Sequence, residues 1–235
     1  MAKLVWDDTG DRLYEVGVRH GVLYVMKSDG TYDNGVAWNG LTAVTESPSG
    51  AEATKLWADD INYLTMYSAE EFGMTIEAYT YPEEFYECDG TANLLTGGGL
   101  YLGQQARKTF GFCYRTEVGN DVSGEEYGYK LHIAYGCKAS PSEKAYSTIN
   151  DSPEAITFSW EVTTTPINVN IPNTDYKPTS IITIDSTKFT GNNAEYLTTL
   201  EGILYGTDGQ SGTSARLPLP AEVYSILSTG SYTPG

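Results

Sequence analysis

The chain has 235 residues, 40% of them hydrophobic, and a formal net charge of −17 at pH 7. This hydrophobic content is enough for a packed core, so the composition excludes a disordered chain. The chain contains 14 Lys and Arg residues and 31 Asp and Glu residues. A surface of this charge repels a phosphate backbone, so we do not expect a nucleic-acid-binding protein, although nucleic acid can still pass without adhering.

The length is compatible with one large domain as well as with two. The 19 Tyr and 25 Gly residues favour strands and tight turns over long helices. Residues 1–35 are rich in Gly and Asp and hold two short apolar islands, Leu4–Trp6 and Val22–Met26, and we predict an N-terminal arm there. The first residues contain no apolar core of a signal peptide, and no stretch is long and apolar enough to predict a membrane span.

The middle of the chain alternates between strand and loop signals. Val36–Thr45 predicts a short strand, and Ile61–Tyr67 and Glu70–Tyr81 predict two more. Between the first two of these strands, the segment Glu46–Asp60 shows no alternation of apolar and polar residues and contains a Trp. A loop of this length inside a domain is usually functional, so we predict an interaction arm.

In Glu70–Tyr81, apolar and polar residues alternate with the period of two that is typical of a half-buried strand. Three later segments show the same alternation and favour antiparallel pairing with one wetter face. The apolar positions are Phe72, Met74, Ile76 and Ala78 in the first segment, then Phe110, Phe112 and Tyr114, then Tyr127, Tyr129, Leu131, Ile133 and Tyr135, and finally Ile156, Phe158, Trp160 and Val162.

After Pro166 the pattern changes to an α/β segment, residues 167–235. A short strand is predicted near Ser180–Asp185. Leucines at helical spacing, 197, 200 and 204, predict a helix capped by Asn192 or Asn193 and ended by Gly206. A second short helix is predicted around Pro220, which suits a first helical turn.

Seven acidic residues between Ser68 and Gly90 raise the question of a catalytic or metal site. Glu71 and Glu77 point to one side of a predicted strand but lie about 20 Å apart, too far to share an ion. The later acids lack the order of a calcium loop. A solvated acidic face is the better interpretation, and Asp59 and Asp60 are likewise better explained as exposed turn residues than as a cation site.

The remaining chemistry-bearing residues predict no enzyme, no metal and no cofactor. His20 and His132 are isolated in sequence, and Gly97–Lys108 lacks the Lys-Ser/Thr of a phosphate-binding loop. His132 and Cys137 are expected on opposite faces of one strand, which argues against a zinc site. Three cysteines without a CxxC pair predict reduced thiols in a protein made in the cytoplasm.

Several segments of the chain, taken in order, resemble the major tail tube proteins of long-tailed bacteriophages. The resemblance covers most of the chain but includes no chemical motif. The segments are KLVWDDTGDRLYEVGVRHGVLY, GVAWNGLTAVTESPSGAEATKLWADDINY, EEFGMTIEAYTYPEEF, FGFCYRTEVGND, NDSPEAITFSWEVTTTP and RLPLPAEV.

The resemblance implies a single domain over residues 1–235 with a mainly β fold. That fold is an antiparallel sandwich or partial barrel with one flanking helix and a short C-terminal helix. It also implies rings, typically homohexameric, that stack into a hollow tube through which DNA passes without binding. The tube would lie in the virion tail, be made in the host bacterial cytoplasm and meet other tail proteins at its ends; no membrane, catalysis or cofactor is implied.

Within this hypothesis, Glu71 and Glu77 are predicted to face the lumen, where negative charge prevents DNA from adhering. The loop 46–60 is predicted to contact neighbouring subunits, with Trp57 as its anchor. Two alternatives stay open: a tail-tip or surface β-sandwich that binds carbohydrate or a receptor, and a hydrolase with dispersed catalytic residues. The predicted contact residues are Pro48, Lys55, Leu56, Trp57, Asp59 and Asp60.

Overall fold

The computed structural model describes residues 4–95, 97–149, 151, 154–172, 174–191, 193–209 and 212–231. Strands dominate this part of the chain, as the sequence predicted, and two α-helices follow them. The helices are α1 (Asn193–Tyr205) and α2 (Pro220–Thr229), and short 3-10 turns span Glu83–Glu87 and Ser186–Lys188. The strands are β1 (Leu13–Val25), β2 (Val36–Trp38), β3 (Leu41–Glu46), β4 (Ser49–Gly50), β5 (Ala53–Ala58), β6 (Ile61–Tyr67), β7 (Glu70–Glu71), β8 (Gly73–Ala78), β9 (Ala92–Asn93), β10 (Tyr101–Leu102), β11 (Phe110–Asn120), β12 (Gly124–Ala139), β13 (Phe158–Thr164) and β14 (Ile181–Asp185).

The main sheet is antiparallel and has the strand order β2-β1-β11-β12-β13-β8-β3, with β14 also paired to β12. β2 and β3 stand at opposite ends of this order, yet only Asn39 and Gly40 separate them in sequence. The two ends of the sheet must therefore lie side by side, and the sheet curls into a partial barrel. The Trp38 indole N–H donates to the Thr80 carbonyl at 2.9 Å near this seam. Among the described strands, no ladder pairs β2 with β3.

The inner face of the curled sheet encloses an aromatic core. Trp160 and Phe85 are fully buried, and their ring centroids lie 5.1 Å apart in an edge-to-face arrangement. Trp38 completes the cluster at 5.6 Å from Trp160. The alternating faces predicted for β8, β11 and β13 are confirmed here, since Met74, Ile76 and Ala78, Phe110, Phe112 and Tyr114, and Trp160 and Val162 all belong to this core.

The outer face of β12 and β14 packs against the two helices and forms a second core. Leu197, Leu200 and Leu204 of α1 are buried there, as their spacing predicted. Two tyrosine hydroxyls tie the sheet to this layer, because Tyr24 donates to the Leu204 carbonyl at 2.6 Å and Tyr135 donates to the Pro218 carbonyl at 2.8 Å. The region after residue 167 thus supplies a strand and both helices to the fold.

The helix boundaries agree with the sequence signals. α1 begins at Asn193, and Gly206 follows its last residue with a positive φ of 81°. Asn192, the other predicted cap, lies outside the described residues. α2 begins at Pro220. Neither described helix has the length and apolar character needed to cross a bilayer.

The predicted N-terminal arm 1–35 needs correction, because Leu13–Val25 is a strand inside the main sheet. β1 pairs with β11 on one side and with β2 on the other. Its ladder shifts register twice, and Gly17 and His20 adopt positive φ within those irregular stretches. Each shift breaks the period of two, which is why the strand was not recognisable in sequence.

Two predicted strands are each divided in the structure. Val36–Thr45 separates into β2 and β3 at Gly40, whose φ is +78°. Glu70–Tyr81 separates into β7 and β8, and strand pairing ends at Ala78 rather than at Tyr81. Beyond Ala78 the chain turns, with the Tyr79 N–H donating to the Gly40 carbonyl at 2.8 Å. The two ends of the curled sheet meet where Tyr79 bonds to Gly40, and this contact explains why β2 ends at Trp38 and why β8 ends at Ala78.

Candidate assembly surface

The segment predicted as a strandless loop is one half of a β-hairpin formed by β5 and β6. Asp59 and Asp60 form its two-residue tip with φ of 50° and 63°. Positive φ at both positions is the signature of a type I′ turn, whose twist matches that of the flanking strands. The prediction of a loop at 46–60 is therefore corrected to an extended hairpin, which we call the arm (Ala53–Tyr67).

The arm lacks a hydrophobic core. Every residue of β5 is exposed, and so are the residues of β6 apart from Thr65. Leu56 pairs with Leu64, and both lie on one face of the ribbon although they are 43% and 48% exposed. An isolated two-stranded ribbon is marginally stable in water. The exposed large hydrophobic residues of the arm are Leu56, Trp57, Ile61, Tyr63, Leu64, Met66 and Tyr67.

The arm extends from the end of the β3–β8 pair. The Ser47 N–H donates to the Gly73 carbonyl at 2.8 Å, and β4 pairs with β7 just beyond. A strand rises about 3.3 Å per residue, so Ser47–Asp59 can reach at most about 40 Å from the sheet. An apolar ribbon of this length is suited to contact another molecule.

Five of the six predicted contact residues lie on this arm, and Pro48 lies outside it. Lys55, Leu56 and Trp57 lie on β5, while Asp59 and Asp60 form the tip. Pro48 is exposed at the base, between β3 and β4. The described residues contain no group of three or more His, Cys, Asp or Glu side chains that could hold a metal ion.

The two predicted lumen residues occupy different strands. Glu71 is exposed on β7 and pairs with Ser49 at the base of the arm. Glu77 lies on β8, opposite Ser159 of β13 and Ala43 of β3. Its side chain alternates with the buried residues Ile76 and Ala78 and therefore lies on the outer face of the sheet.

Glu161 of β13 shares that outer face, because it pairs with Thr75 in the same ladder as Glu77. The residues that pack under the helices come from β1, β11, β12 and β14, and none comes from β3, β8 or β13. The outer face of these three strands is thus polar and acidic. Sequence analysis had identified Glu77 but not Glu161.

A second apolar feature is an open groove of about 600 Å³ between β14, α2 and the segment before β14, whose aliphatic side chains are buried or half-buried. Its floor is apolar, and Lys177 and Lys188 lie at its rim. Sequence analysis missed this groove, because the strand, the helix and the connecting segment become neighbours only in the folded chain. The apolar side chains that line it are Val169, Ile171, Ile181, Ile182, Ile184, Phe189, Pro220, Val223 and Leu227.

A polar cluster lies beneath the base of the arm, where β3 ends at Glu46. The Tyr114 hydroxyl donates to Glu46 Oε1 at 2.6 Å, and His132 Nδ1 lies 3.3 Å from the same oxygen. His132 Nε2 is 3.0 Å from the Thr116 hydroxyl. Burial lowers the pKa of His132, against the opposing effect of the Glu46 carboxylate.

Carboxylate, imidazole and hydroxyl in this order resemble a catalytic relay. A relay also needs a substrate cavity, and neither Glu46, Thr116 nor His132 lines the groove along β14. The cluster joins residues that are far apart in sequence, so spacing could not have revealed it. A structural role at the base of the arm fits it better.

Cys137 does not lie on the face of β12 that its sequence spacing from His132 predicted. Gly136 has a φ of +59°, and the ladder of β11 and β12 shifts register beside it. Cys137 therefore lies in the inner core with Ala134, on the face of β12 that also carries His132. The expectation that Cys137 and His132 occupy opposite faces was wrong.

Comparison with known proteins adds no argument about the fold or the function of this chain. No protein-family model and no curated protein sequence matches the chain. Among solved structures, the chain is similar to one in a six-fold-symmetrised cryo-EM structure of the anti-feeding prophage baseplate, with 7% identity over 80% of this chain and 99% of that one. The TM-score of 0.34 is too low to support an argument about function.

Proposed function

We propose that this chain is the structural subunit of a tail tube of a long-tailed bacteriophage. In this proposal, copies of the chain form rings, which stack into a hollow conduit for DNA delivery. The observation that carries the proposal is the arm, an apolar hairpin that the described residues of its own chain leave exposed. Such a surface is stabilised when it is buried against another subunit.

The curled sheet supports the proposal in a second way. Among the described strands, β14 pairs with β12 alone, so no strand covers its other edge. Exposed edges invite pairing with another chain, and closing a ring of subunits covers them. The sequence resemblance to tail tube proteins points to the same arrangement, with a homohexamer as its typical form.

The acidic outer face around Glu77 and Glu161 suits a lumen. A DNA polyanion that touched a basic wall would bind at every ring and would have to be released each time. A wall of carboxylates and hydroxyls avoids this cost. The proposal needs no catalysis, cofactor or membrane, and its other partners are the tail proteins at the two ends of the tube.

Electron microscopy of the purified chain, with sedimentation over a range of concentrations, tests the proposal. We expect rings or tubes. Replacing Leu56 and Leu64 together with Thr, which keeps strand propensity, should abolish them. Leu94 and Leu95 are each 54% exposed away from the arm and provide the matched control pair. A chain that stays monomeric in every condition would overturn the proposal.

A carbohydrate- or receptor-binding tail-tip protein is the second candidate. Trp57, Tyr63 and Tyr67 are each at least 67% exposed, and aromatic rings of this kind can stack on sugars. A glycan array decides between the two functions. Binding by monomers that is lost on Trp57→Ala, without any polymer, would favour this candidate over the tube subunit.

A further inference from the structure

We infer that the groove along β14 is the docking site for the arm of a second copy of this chain. The inference rests on the proposed assembly and names the surface that receives the arm. Within the described part of the chain, three features of the groove support it: a strand edge that no other strand covers, an apolar lining and two lysines that make no ion pair.

The groove follows a strand edge. Among the described strands, β14 pairs only with β12, so no strand covers its outer edge. The Thr179 hydroxyl bonds the Ile181 backbone at one end of this edge, and the backbone further along, at Thr183, has no strand beside it. All five residues of β14 line the groove, which indicates that the groove follows this edge rather than one face of the strand. Edges of this kind bind an added strand through main-chain hydrogen bonds. The arm offers two extended strands, whereas a helix could not make those bonds.

The apolar lining of the groove matches the arm. The groove is lined by Ile182, Val223 and Leu227, among others. On the arm, Leu56 and Leu64 share one face. Leu56 and Leu64 are exposed in the single chain, whereas Ile182 and Leu227 are half-buried and Val223 is buried. The exposed apolar rings of the groove are those of Tyr176 and Tyr224. Burying apolar area contributes roughly 25 cal/mol per Å², so a docked arm would be stabilised as its leucines and these rings cover one another.

The charges are complementary as well. Asp59 and Asp60 at the tip of the arm make no ion pair with any described residue, and neither do Lys177 and Lys188 at the rim of the groove. With a net charge of −17, most of the surface repels an acidic tip. Two lysines free to bind it are concentrated at this groove.

The contact also has the geometry that an assembly requires. Arm and groove are different surfaces, so every copy carries one donor and one acceptor. A contact between unlike surfaces forms a ring when the rotation closes and a filament when it does not. Both outcomes are compatible with stacked rings.

Cross-linking locates the arm directly. The native thiols Cys88, Cys113 and Cys137 are buried, so engineered cysteines can be addressed selectively. Ala58→Cys next to the tip, combined with Tyr176→Cys in the groove lining, keeps both lysines and should give a ladder of covalent oligomers with a short bis-maleimide. Ala58→Cys with Lys138→Cys is the control, because Lys138 is exposed elsewhere. Equal ladders from both pairs, or none from the groove pair, would overturn the inference.

A double-mutant cycle measures the charge contact. Asp59→Asn with Asp60→Asn keeps the turn, because Asn tolerates positive φ. Lys177→Glu with Lys188→Glu reverses the rim. We expect each pair of changes to raise the assembly midpoint concentration about three- to tenfold, and the rim changes to lose most of their effect in the Asn background. Fully additive effects would show that tip and rim do not meet.

The two proposals fail in different ways. If the wild-type chain assembles but the cross-link and the cycle are negative, the arm docks elsewhere and the tube proposal stands. If the wild-type chain stays monomeric, both proposals fall. Far-UV circular dichroism and thermal unfolding of each variant establish that lost assembly is not lost folding.

Discussion

The imidazole of His132 lies flat against the ring of Tyr114, with centroids 4.6 Å apart and planes 3° from parallel. Both side chains also meet Glu46, the last residue of β3. The stack therefore connects two central strands, β11 and β12, to the point where the arm leaves the sheet.

This stack predicts that the free energy of unfolding falls as the pH drops below about 6.5, the ordinary pKa of His. Burial lowers the pKa of His132 in the folded chain, so the unfolded chain takes up the proton first. Stability is then lost between the ordinary pKa and the lowered one. Glu46 and Glu15 oppose the shift, whereas Lys130 adds to it.

Denaturant unfolding from about pH 8 to about pH 5 measures this dependence. His132→Gln should flatten the curve in that range. Leu94→Ala, at an exposed residue that does not titrate, is the control and should leave the dependence intact. An unchanged slope in the His132 variant would contradict the assignment.

Trp57→Ala should impair assembly far more than folding. Trp57 is 67% exposed, so its removal should change the free energy of unfolding by about 0.5 kcal/mol or less. Trp160→Ala is the opposite case, since Trp160 is fully buried and its loss should cost about 3–5 kcal/mol. Sedimentation and denaturant unfolding of both variants test the contrast, and normal polymerisation of Trp57→Ala would remove Trp57 as an anchor.

Tyr24→Phe should destabilise the fold by about 1–3 kcal/mol. The change leaves the buried carbonyl of Leu204 without its donor at the end of α1. Burial raises the pKa of Tyr24 well above its usual range, so the hydroxyl remains a donor at every ordinary pH. Tyr63→Phe on the exposed arm is the control and should be neutral in the same denaturant titration.

The three cysteines should be unreactive in the folded chain. Burial raises the pKa of Cys88 and Cys113 to about 12 and that of Cys137 even further. The thiolate is the reactive species, so a thiol reagent such as Ellman's reagent should modify these residues only after unfolding. Rapid modification of the native chain near neutral pH would show that the inner core opens readily.

The lumen assignment predicts that charge reversal on the outer face changes DNA adhesion and not assembly. Glu77→Lys with Glu161→Lys should let the polymer retain DNA in a salt-sensitive way. Glu84→Lys with Glu143→Lys, at two exposed acids outside β3, β8 and β13, makes the same change in net charge and is the control. Glu71→Lys tests the second predicted lumen residue separately. Equal DNA retention by the Glu77 and Glu84 variants would contradict the assignment.

Sequence analysis predicted those elements whose packing imposes a regular period. Leu197, Leu200 and Leu204 marked α1, and the alternating residues of β8, β11 and β13 marked the inner core. These side chains are buried at regular intervals along the chain. Their apolar pattern can therefore be recognised from the sequence alone.

The parts that sequence analysis missed have other physical causes. β1 contains two register shifts, which break its period. The arm is exposed on both faces, so nothing imposes alternation on Ala53–Ala58. The groove along β14 and the cluster around His132 are assembled from distant segments, and only the fold brings them together.

The pairing of β1 with β11 has a consequence for how the chain folds. Leu13 lies opposite Asn120, so residues 13–19 of β1 cannot pair until about half of the chain has left the ribosome; β2 pairs only with Gly21–Leu23. Contacts between such distant residues slow folding, because a long loop must close before they form. Until then, this part of β1 is unpaired in a cell that contains many identical nascent chains. Dilution during refolding should therefore raise the yield of correctly folded subunit, since it reduces mispairing between copies.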